Sequence, residues 1–320
     1  MPRTTASGRS GASRDAAVAA TRPANSPEPV PVKALDWAAA FTVIGLWGFN
    51  FVVAKVGVGE LPPLLLLSLR FALVAVLLAP FLRALGDAWR PMLVLSVVLG
   101  GCHFGLLFIG LSGVDAGPAA IAIQLTVPFS AALAWAIYGE TMGFLQMLGM
   151  LVAFTGVYIL AGEPASTPSL THLLMVVAAA FAWAVANILI KKLHRIPPMV
   201  MNAWFALLTA PQLLAVSLLV ERGQAEAIAA AGWRGWGAVV YTALAASIVA
   251  YGLWYWLLAK HDVNRIVPLM LLAPVLAVFL AGVLLGEPIT PRILLGGAVT
   301  ITGVAMIQFL RPRRTPVMVS

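Results

Sequence analysis

The side chains that could do chemistry in this chain lie inside long apolar runs. Polar side chains in such runs usually face the protein interior or a water-filled cavity. Tyr251, Trp254 and Tyr255 are spaced to share one helical face. Amides, an imidazole, a hydroxyl and aromatic rings in this setting predict a solute cavity, and the candidates are Trp47, Asn50, His103, Gln124, Trp183, Asn187, Ser247, Tyr251, Trp254 and Tyr255.

Several of these candidates have a second interpretation. Asn50 and Asn187 either line or gate a cavity or form hydrogen bonds between helices, which are common in membrane bundles. His103 either contacts the solute and moves protons, or is a neutral packing histidine. The aromatic face could instead lie at lipid or at the membrane interface. Gln124 can donate and accept, which suits a zwitterionic or amide-bearing ligand.

Two prolines and two glutamates are candidate hinge or gate residues. Pro128 and Pro274 lie inside apolar runs, where proline removes a backbone hydrogen bond and kinks a helix. Each could be a hinge or an ordinary kink. Glu140 and Glu287 each follow a glycine that ends an apolar run. We expect these glutamates to bond the N-terminal amides of the following helix and to form structural or gate contacts.

Charged residues are nearly missing from the interior of the runs. No Asp or Glu is predicted in mid-run, whereas coupled carriers commonly place an acidic group at depth. This pattern favours facilitated movement, or coupling through His103. Arg70 lies within the second run, where it could snorkel outward or pair with Glu60 or Glu287, and we favour a structural pair over a substrate contact. With so few cations, a phosphate-bearing substrate is disfavoured.

The same sequence holds no constellation for catalysis. There is no glycine-rich phosphate loop, no set of metal ligands and no nucleophile triad. We therefore expect no enzyme activity, no metal and no cofactor.

The elements that carry these residues are membrane-spanning helices. Hydrophobic residues make up 61% of the 320 and charged residues 10%, with a mean hydropathy of +0.97. Soluble domains carry about 25% charged residues. A helix needs roughly 20 apolar residues to cross a bilayer. The sequence predicts an all-α integral membrane protein with ten spans, at about 37–56, 63–83, 91–112, 117–138, 144–161, 170–190, 199–220, 236–258, 264–285 and 291–310.

The ten spans form two copies of one pattern. Residues 107–128 align without gaps with residues 253–274, at an offset of 146. Each copy has five spans, and an odd number inverts the second copy in the bilayer. Inverted repeats build transporters with a site between the halves. We expect repeats at 35–163 and 168–311, tails at 1–34 and 312–320, and an inner ring of spans 1, 3, 4, 6, 8 and 9.

The net charge of +8 follows from topology. Most Lys and Arg residues fall on the side that both termini share, and only Lys55, Arg222, Arg234 and Arg292 fall on the other. Positive loops stay cytoplasmic, so both termini are expected in the cytoplasm and no nucleic acid partner is expected. Residues 1–34 lack large apolar side chains and are predicted to be a disordered tail without a signal peptide. The single cysteine, Cys102, excludes an intramolecular disulfide.

Four sequence features resemble the drug/metabolite transporter superfamily, and within it the EamA-type exporters. They are the stretch WGFNFVVAKVG at 47–57, Pro62-Pro63, Arg70-Phe71 and the two Gly-Glu elements. The resemblance implies ten helices in two inverted repeats around a central cavity, and export of amino acids or related metabolites. Small multidrug members carry a glutamate in the first helix. This chain has none there, which disfavours proton-coupled efflux of cationic drugs.

The sequence thus predicts an inner-membrane exporter or facilitator of amino acids, working by alternating access. Aromatic walls favour apolar or aromatic amino acids, because such rings pack around those side chains. We expect the protein to act as a monomer. The alternatives are efflux of drugs or other small metabolites, and a membrane protein that transports nothing.

Overall fold

The computed structural model describes residues 33–139, 142–162, 169–261 and 266–310. Within these ranges it is helical, and the ten predicted spans are confirmed. Residues 1–32 and 312–320, which hold most of the predicted tails, lie outside the described residues. The spans are α1 (Ala34–Glu60), α2 (Pro63–Phe81), α3 (Gly86–Gly113), α4 (Ala116–Tyr138), α5 (Phe144–Ala161), α6 (Leu170–Lys192), α7 (Pro198–Val220), α8 (Trp233–Lys260), α9 (Pro268–Leu285) and α10 (Pro291–Phe309).

Successive helices run in opposite directions, so the bundle has two distinct ends. We name the end where α1 begins and α10 ends the terminal end, and the other the opposite end. Lys55, near the end of α1, bonds carbonyls at the end of α3. Lys260, at the end of α8, bonds Asp36 at the start of α1. These contacts join helix ends as an alternating bundle requires.

Local backbone geometry repeats between the two halves. A π-helical segment in α3, Ser96–Gly105, recurs in α8 as Thr242–Val249, starting at the same offset of 146. A 3₁₀ turn in α4, Ile123–Leu125, recurs at Val267–Leu271, where α9 begins. Gly139 and Gly286 end α4 and α9 in the left-handed conformation, with φ of +62° and +68°. The two copies therefore share their irregularities as well as their hydropathy, as expected for a repeat.

Helix packing follows the same twofold relation. The helices α5 and α10 pack on each other, as do α2 and α7. The contact of α1 with α9 is matched by that of α6 with α4, and the contact of α3 with α6 by that of α8 with α1. The inner helices of one repeat thus lie against those of the other, which places any central space at the boundary between repeats.

Four glycines allow α5 and α10 to approach very closely. A Cβ atom on Gly156 would lie 2.2 Å from Thr300 Oγ1, and one on Gly303 would lie 2.4 Å from the Ala153 nitrogen. Gly149 and Gly296 are also confined, with a Cβ atom lying 2.8 and 2.9 Å from the carbonyl oxygens of Gly303 and Gly156 on the other helix. Small residues at a membrane helix interface let backbones touch. We refer to these four residues as the glycine seam.

Candidate substrate cavity

A cavity of about 1130 Å³ lies between the repeats. Trp47 and Asn50 reach it from α1, His103 from α3 and Gln124 from α4. The inner ring inferred from sequence therefore does surround a space. From the second repeat the cavity is lined by Trp183, Asn187, Tyr251 and Trp254.

A smaller chamber of about 250 Å³ adjoins the main cavity. The two share part of their walls, including Arg70, Trp183 and Tyr251. Ser247 and Tyr255, which do not line the main cavity, line this chamber. The structure thus brings all ten predicted cavity residues to one of two adjoining spaces.

Aromatic rings form the wall where α1 meets α8. The Trp47 ring lies edge-on to Tyr251 and Trp254, with centroid distances of 5.3 and 5.7 Å. Tyr251 stacks on Tyr255 at 6.0 Å. Trp47 Nε1 donates to the Ala246 carbonyl at 3.2 Å, which fixes the indole. Edge-to-face and stacked rings hold one another in place, so this wall is rigid and presents an apolar surface.

His103 packs into the wall with one ring nitrogen already bonded. Its Nδ1 lies 2.9 Å from the Ala179 carbonyl oxygen, and the residue is 2% exposed. A carbonyl can only accept, so Nδ1 carries the proton. The ring also meets Trp183 edge-on, at 4.5 Å between centroids. The geometry favours the packing role for this histidine over a proton shuttle, while it still lines the cavity.

The two predicted amides differ in how they are satisfied. Asn50 Oδ1 is buried and has no hydrogen-bond partner. Asn187 is exposed, and its Nδ2 lies 3.5 Å from Ser130 Oγ on α4, the outer limit of a hydrogen bond. Direct hydrogen bonding between helices therefore accounts for neither amide well, and Asn50 keeps a free acceptor in the cavity wall.

The two prolines each follow a 3₁₀ turn. Pro274 lines the cavity, whereas Pro128 is buried beside it and does not. A proline cannot donate to the carbonyl four residues before it. Those carbonyls belong to Gln124 and Met270, and both residues line the cavity. The prolines thus weaken the helices at the level of the site, and a hinge role remains a prediction.

Arg70 does not form the structural ion pair that we expected. Its guanidinium donates from Nε and Nη2 to Ser247 Oγ, at 3.0 and 2.8 Å, and no described carboxylate lies within ion-pair distance. Arg70 lines both chambers. The expectation failed because a position along a helix says nothing about which way the side chain turns. Here it turns inward, so the interior does hold a cation.

Glu287 bonds a different helix from the one expected. Its two oxygens accept from the amides of Ala116 and Gly117, at 2.7 and 3.0 Å, at the start of α4. We had assigned it to the following helix, α10. Burial raises the pKa of this carboxyl above its ordinary value of 4.5, although the two amides and nearby Lys55 partly oppose the shift. Glu140, its counterpart in the first repeat, lies outside the described residues.

The four helices outside the expected inner ring also contribute residues to the two spaces. Arg70 comes from α2, Gln146 from α5 and Gln308 from α10. Asn202 of α7 lines the smaller chamber and donates to the Ser247 carbonyl at 3.1 Å. The inner ring is therefore incomplete as a description of the site. Apart from Arg70, these residues were missed because a polar residue on a helix does not by itself show which neighbouring helix or space it faces.

Asp36 is a buried acidic residue that sequence reasoning missed. It is 1% exposed and lies 3.0 Å from Lys260 Nζ. His261 Nε2 is 3.1 Å from its second oxygen, an ion-pair distance without hydrogen-bond geometry. The predicted first span began one residue later. The sequence signal that could have revealed this contact is that Asp36, Lys260 and His261 all lie at span ends on the terminal side.

The main cavity opens at the terminal end of the bundle. Its lining continues to Trp135 and Tyr138 at the end of α4 and to Lys191 at the end of α6, and all three are exposed. Lys191 Nζ lies 4.8 Å from the centre of the Tyr138 ring, across this mouth. At the opposite end Glu287 and Lys55 join helix ends. The lining of the main cavity thus reaches the terminal end of the bundle.

Comparison with known proteins decides the family. The model of the EamA-like transporter family matches residues 37–162 and 170–309. The chain belongs to that family. A probable amino-acid metabolite efflux pump of Salmonella typhimurium is 35% identical over 292 residues, covering 86% of this chain and 96% of that protein. A protein of the same description in Escherichia coli is 32% identical, covering 86% and 95%.

The fold agrees with a solved structure as well. One crystal structure of a protein superposes on this chain with a TM-score of 0.60, at 21% identity. The match covers 87% of this chain and 98% of the other. That likeness supports the fold alone. Family membership and ten spanning helices make this chain a multi-pass inner-membrane transporter with a small-molecule substrate.

Proposed function

We propose that the protein exports amino acids and related metabolites, with apolar or aromatic side chains preferred. The observation that carries this proposal is the aromatic wall of Trp47, Tyr251 and Trp254 beside a few hydrogen-bonding groups. Rings of this kind pack around apolar side chains, and isolated polar groups orient the rest of the solute. The two relatives described as probable amino-acid metabolite efflux pumps support the same substrate class.

The direction of transport follows from the proposed topology. With both termini in the cytoplasm, the open mouth at the terminal end faces the cytoplasm, where an exporter loads. Release then requires the opposite end to open while the terminal end closes. The repeats, proposed at 35–163 and 168–311, would move against each other around the central cavity. One chain holds the whole cavity, so a monomer suffices, with no cofactor.

Flux into proteoliposomes tests the proposal. Labelled Phe, Trp, Met and Thr are supplied with and without an imposed pH gradient. We expect saturable uptake that ignores the gradient, because no carboxylate lines the cavity among the described residues. Trp183→Ala and Tyr251→Ala should each weaken it about tenfold. Phe181→Ala, an exposed aromatic on α6 outside the cavity lining, is the matched control. Absence of flux for every amino acid would refute the proposal.

Efflux of larger apolar compounds is the second candidate. The main cavity of about 1130 Å³ exceeds the ~300–1,000 Å³ of sites for drug-sized ligands. Inhibition of phenylalanine flux by apolar drugs, with the drugs themselves accumulating, would favour this activity. Inhibition without drug accumulation would leave amino acid export in place.

A further inference from the structure

Arg70 is a buried cation with unused donor capacity. It is 2% exposed, and Nε and Nη2 share a single acceptor, Ser247 Oγ. The Ser247 hydroxyl donates its own hydrogen bond to the Thr242 carbonyl at 2.8 Å, so toward Arg70 it acts only as a neutral acceptor. Nη1 has no partner at all. A buried charge without a counter-ion is unfavourable, so the site is incomplete without an anion.

The surroundings of Arg70 hold the charge but do not neutralise it. Its Cζ atom lies 5.0 Å from the ring centre of Phe71, 4.8 Å from that of Phe104 and 5.9 Å from that of Phe108. Aromatic faces attract a guanidinium, and they fix its plane without supplying an acceptor. The group is thus oriented in advance for a planar anion such as a carboxylate.

The charges around the cavity have one sign. Among described residues, its lining includes the cations Arg70 and Lys191 and no carboxylate. The buried carboxylate Asp36 is bound to Lys260, and Glu287 to the start of α4. Lys191 lies at the mouth against Tyr138. Inside the cavity, therefore, a single fixed cation matches a monoanion better than a phosphate dianion.

Asn50 supplies a hydrogen-bond acceptor that has no partner in the protein. Asn50 Oδ1 is buried without a partner, and Asn50 lines the same cavity as Arg70. Asn50 Oδ1 and Arg70 Nη1 are both covered by protein atoms, so their side chains must turn toward the cavity for a solute with a carboxylate and an N–H donor to satisfy them. Leaving such groups unpaired rejects analogues that lack the matching atoms.

We propose that Arg70 binds the carboxylate of the transported solute, with Asn50 accepting from its N–H group, so that free carboxylates are selected over amides, esters and amines. This inference rests on the proposed transport function and narrows its substrate class. It makes Arg70 a specificity-determining residue and gives α2 a direct part in recognition.

The first test uses the wild-type protein and needs no flux. Quenching of tryptophan fluorescence reports binding, because Trp47, Trp183 and Trp254 line the cavity. The probes are phenylalanine, phenylalaninamide, phenylalanine methyl ester, phenethylamine and 3-phenylpropionate. We expect phenylalanine to bind at least about tenfold more tightly than its amide, ester or amine, since hydrogen bonds to charged groups are the strong ones. An amide that binds as tightly as the acid, or no response to any carboxylate, would overturn the proposal.

The second test compares Arg70→Gln with Arg70→Lys. Gln can still bond Ser247 but carries no charge, so the preference for acid over amide should fall to about one. Lys keeps the charge and should retain part of the preference. A merely structural arginine would weaken both ligands equally and leave their ratio unchanged. Lys192→Gln, which changes an exposed cation at the end of α6 outside the cavity lining, is the matched control, and it should keep the wild-type ratio. Loss of the ratio in that control would assign selection to overall charge and contradict a role for Arg70.

These outcomes separate the proposal from the transport function. Saturable phenylalanine flux that the amide inhibits equally would leave export standing and remove the carboxylate site. Suppose instead that 3-phenylpropionate is transported, that this flux is lost in Arg70→Gln, and that no amino acid is transported. That result would support the carboxylate site and refute amino acid export. Should neither Arg70 variant fold, the binding ratios of the wild-type protein decide alone.

Discussion

At the opposite end of the bundle charged side chains bind backbone groups of other helices. At the terminal end the contact between helices is an ion pair of two side chains, although Asp36 also accepts from the Lys33 amide at the start of its own helix. Glu287 and Glu221 each accept from two amides at a helix start, those of α4 and α2. Lys55 donates to two carbonyls at the end of α3. At the terminal end, Asp36 pairs with Lys260. The opposite end is therefore joined by contacts that depend on exact helix-end positions.

This difference shows how one end can be shut while the other is open. Carboxylates at helix starts gain from the helix dipole and from unpaired amides. Such contacts vanish when a helix end moves by a few ångströms. The ion pair at the terminal end joins only α1 and α8, and the mouth lies at the ends of α4 and α6. The terminal end can thus open on one side and stay tied on the other.

Among single substitutions, Glu287→Ala is expected to have the largest effect on the difference between the two ends. It leaves the amides of Ala116 and Gly117 without their acceptor, which should weaken closure of the opposite end by about 2 kcal/mol, or roughly thirtyfold. A cysteine at Ala120, which lines the cavity, is placed in a Cys102→Ala background. Its reaction with an impermeant thiol reagent added at the opposite end should accelerate accordingly. The exposed Glu226, near the same end, gives the control Glu226→Ala, and equal rates in both variants would contradict the gate.

Lys55→Met should have the next largest effect. It removes two charge-assisted bonds to the Leu111 and Val114 carbonyls, at 2.9 and 2.8 Å. We expect the unfolding temperature in detergent to fall by about 2–8 °C, as a loss of 1–2 kcal/mol does in larger chains. Arg222→Met, an exposed cation at the same end, should leave it within 1 °C or so. A matching drop in both would show that Lys55 acts only through surface charge.

A smaller effect is expected from Asp36→Asn at the terminal end. Lys260 is 38% exposed, and half-exposed ion pairs contribute about 0–1 kcal/mol. A double-mutant cycle with Lys260→Gln, read by thermal unfolding, should therefore give a coupling of at most about 1 kcal/mol. A coupling of several kcal/mol would mean that the terminal end is held as firmly as the opposite end.

The smallest expected effect is a pH dependence of closure at the opposite end. In the closed end, burial raises the pKa of Glu287 above 4.5, whereas an exposed Glu287 in an opened end would have the ordinary value. The closed state thus binds a proton more tightly, so acid favours closure between the ordinary and the raised pKa. As the pH rises through the raised pKa, that bias is lost. Labelling of the cysteine at position 120 should therefore be slower at pH 5 than at pH 7. In Glu287→Gln this pH dependence should vanish, and its persistence would implicate another group.

The fold could be predicted almost fully from sequence, for physical reasons that are local. A span is set by its own length and hydropathy, and the repeat at offset 146 fixed the relation between halves. Aromatic residues of the site could be found too, because Tyr251, Trp254 and Tyr255 share a face through helical spacing alone.

The rest could not be predicted, because it depends on contacts between distant segments. Arg70 meets Ser247 177 positions away, and Glu287 meets Ala116 171 positions away. Helical spacing places a side chain on a face but does not say which helix lies opposite. Asn50 shows the same limit, since only the fold reveals that its oxygen lacks a partner.

The glycine seam between α5 and α10 has the form of a symmetric subunit contact. Gly149 meets Gly303, and its repeat equivalent Gly296 meets Gly156. Each surface therefore pairs with its own counterpart, which is the isologous arrangement of a twofold dimer. The same face, used twice, can join two separate five-helix chains without alteration. The single polypeptide here keeps a self-complementary interface. A larger residue at one of these glycines would therefore require a compensating change on the facing helix.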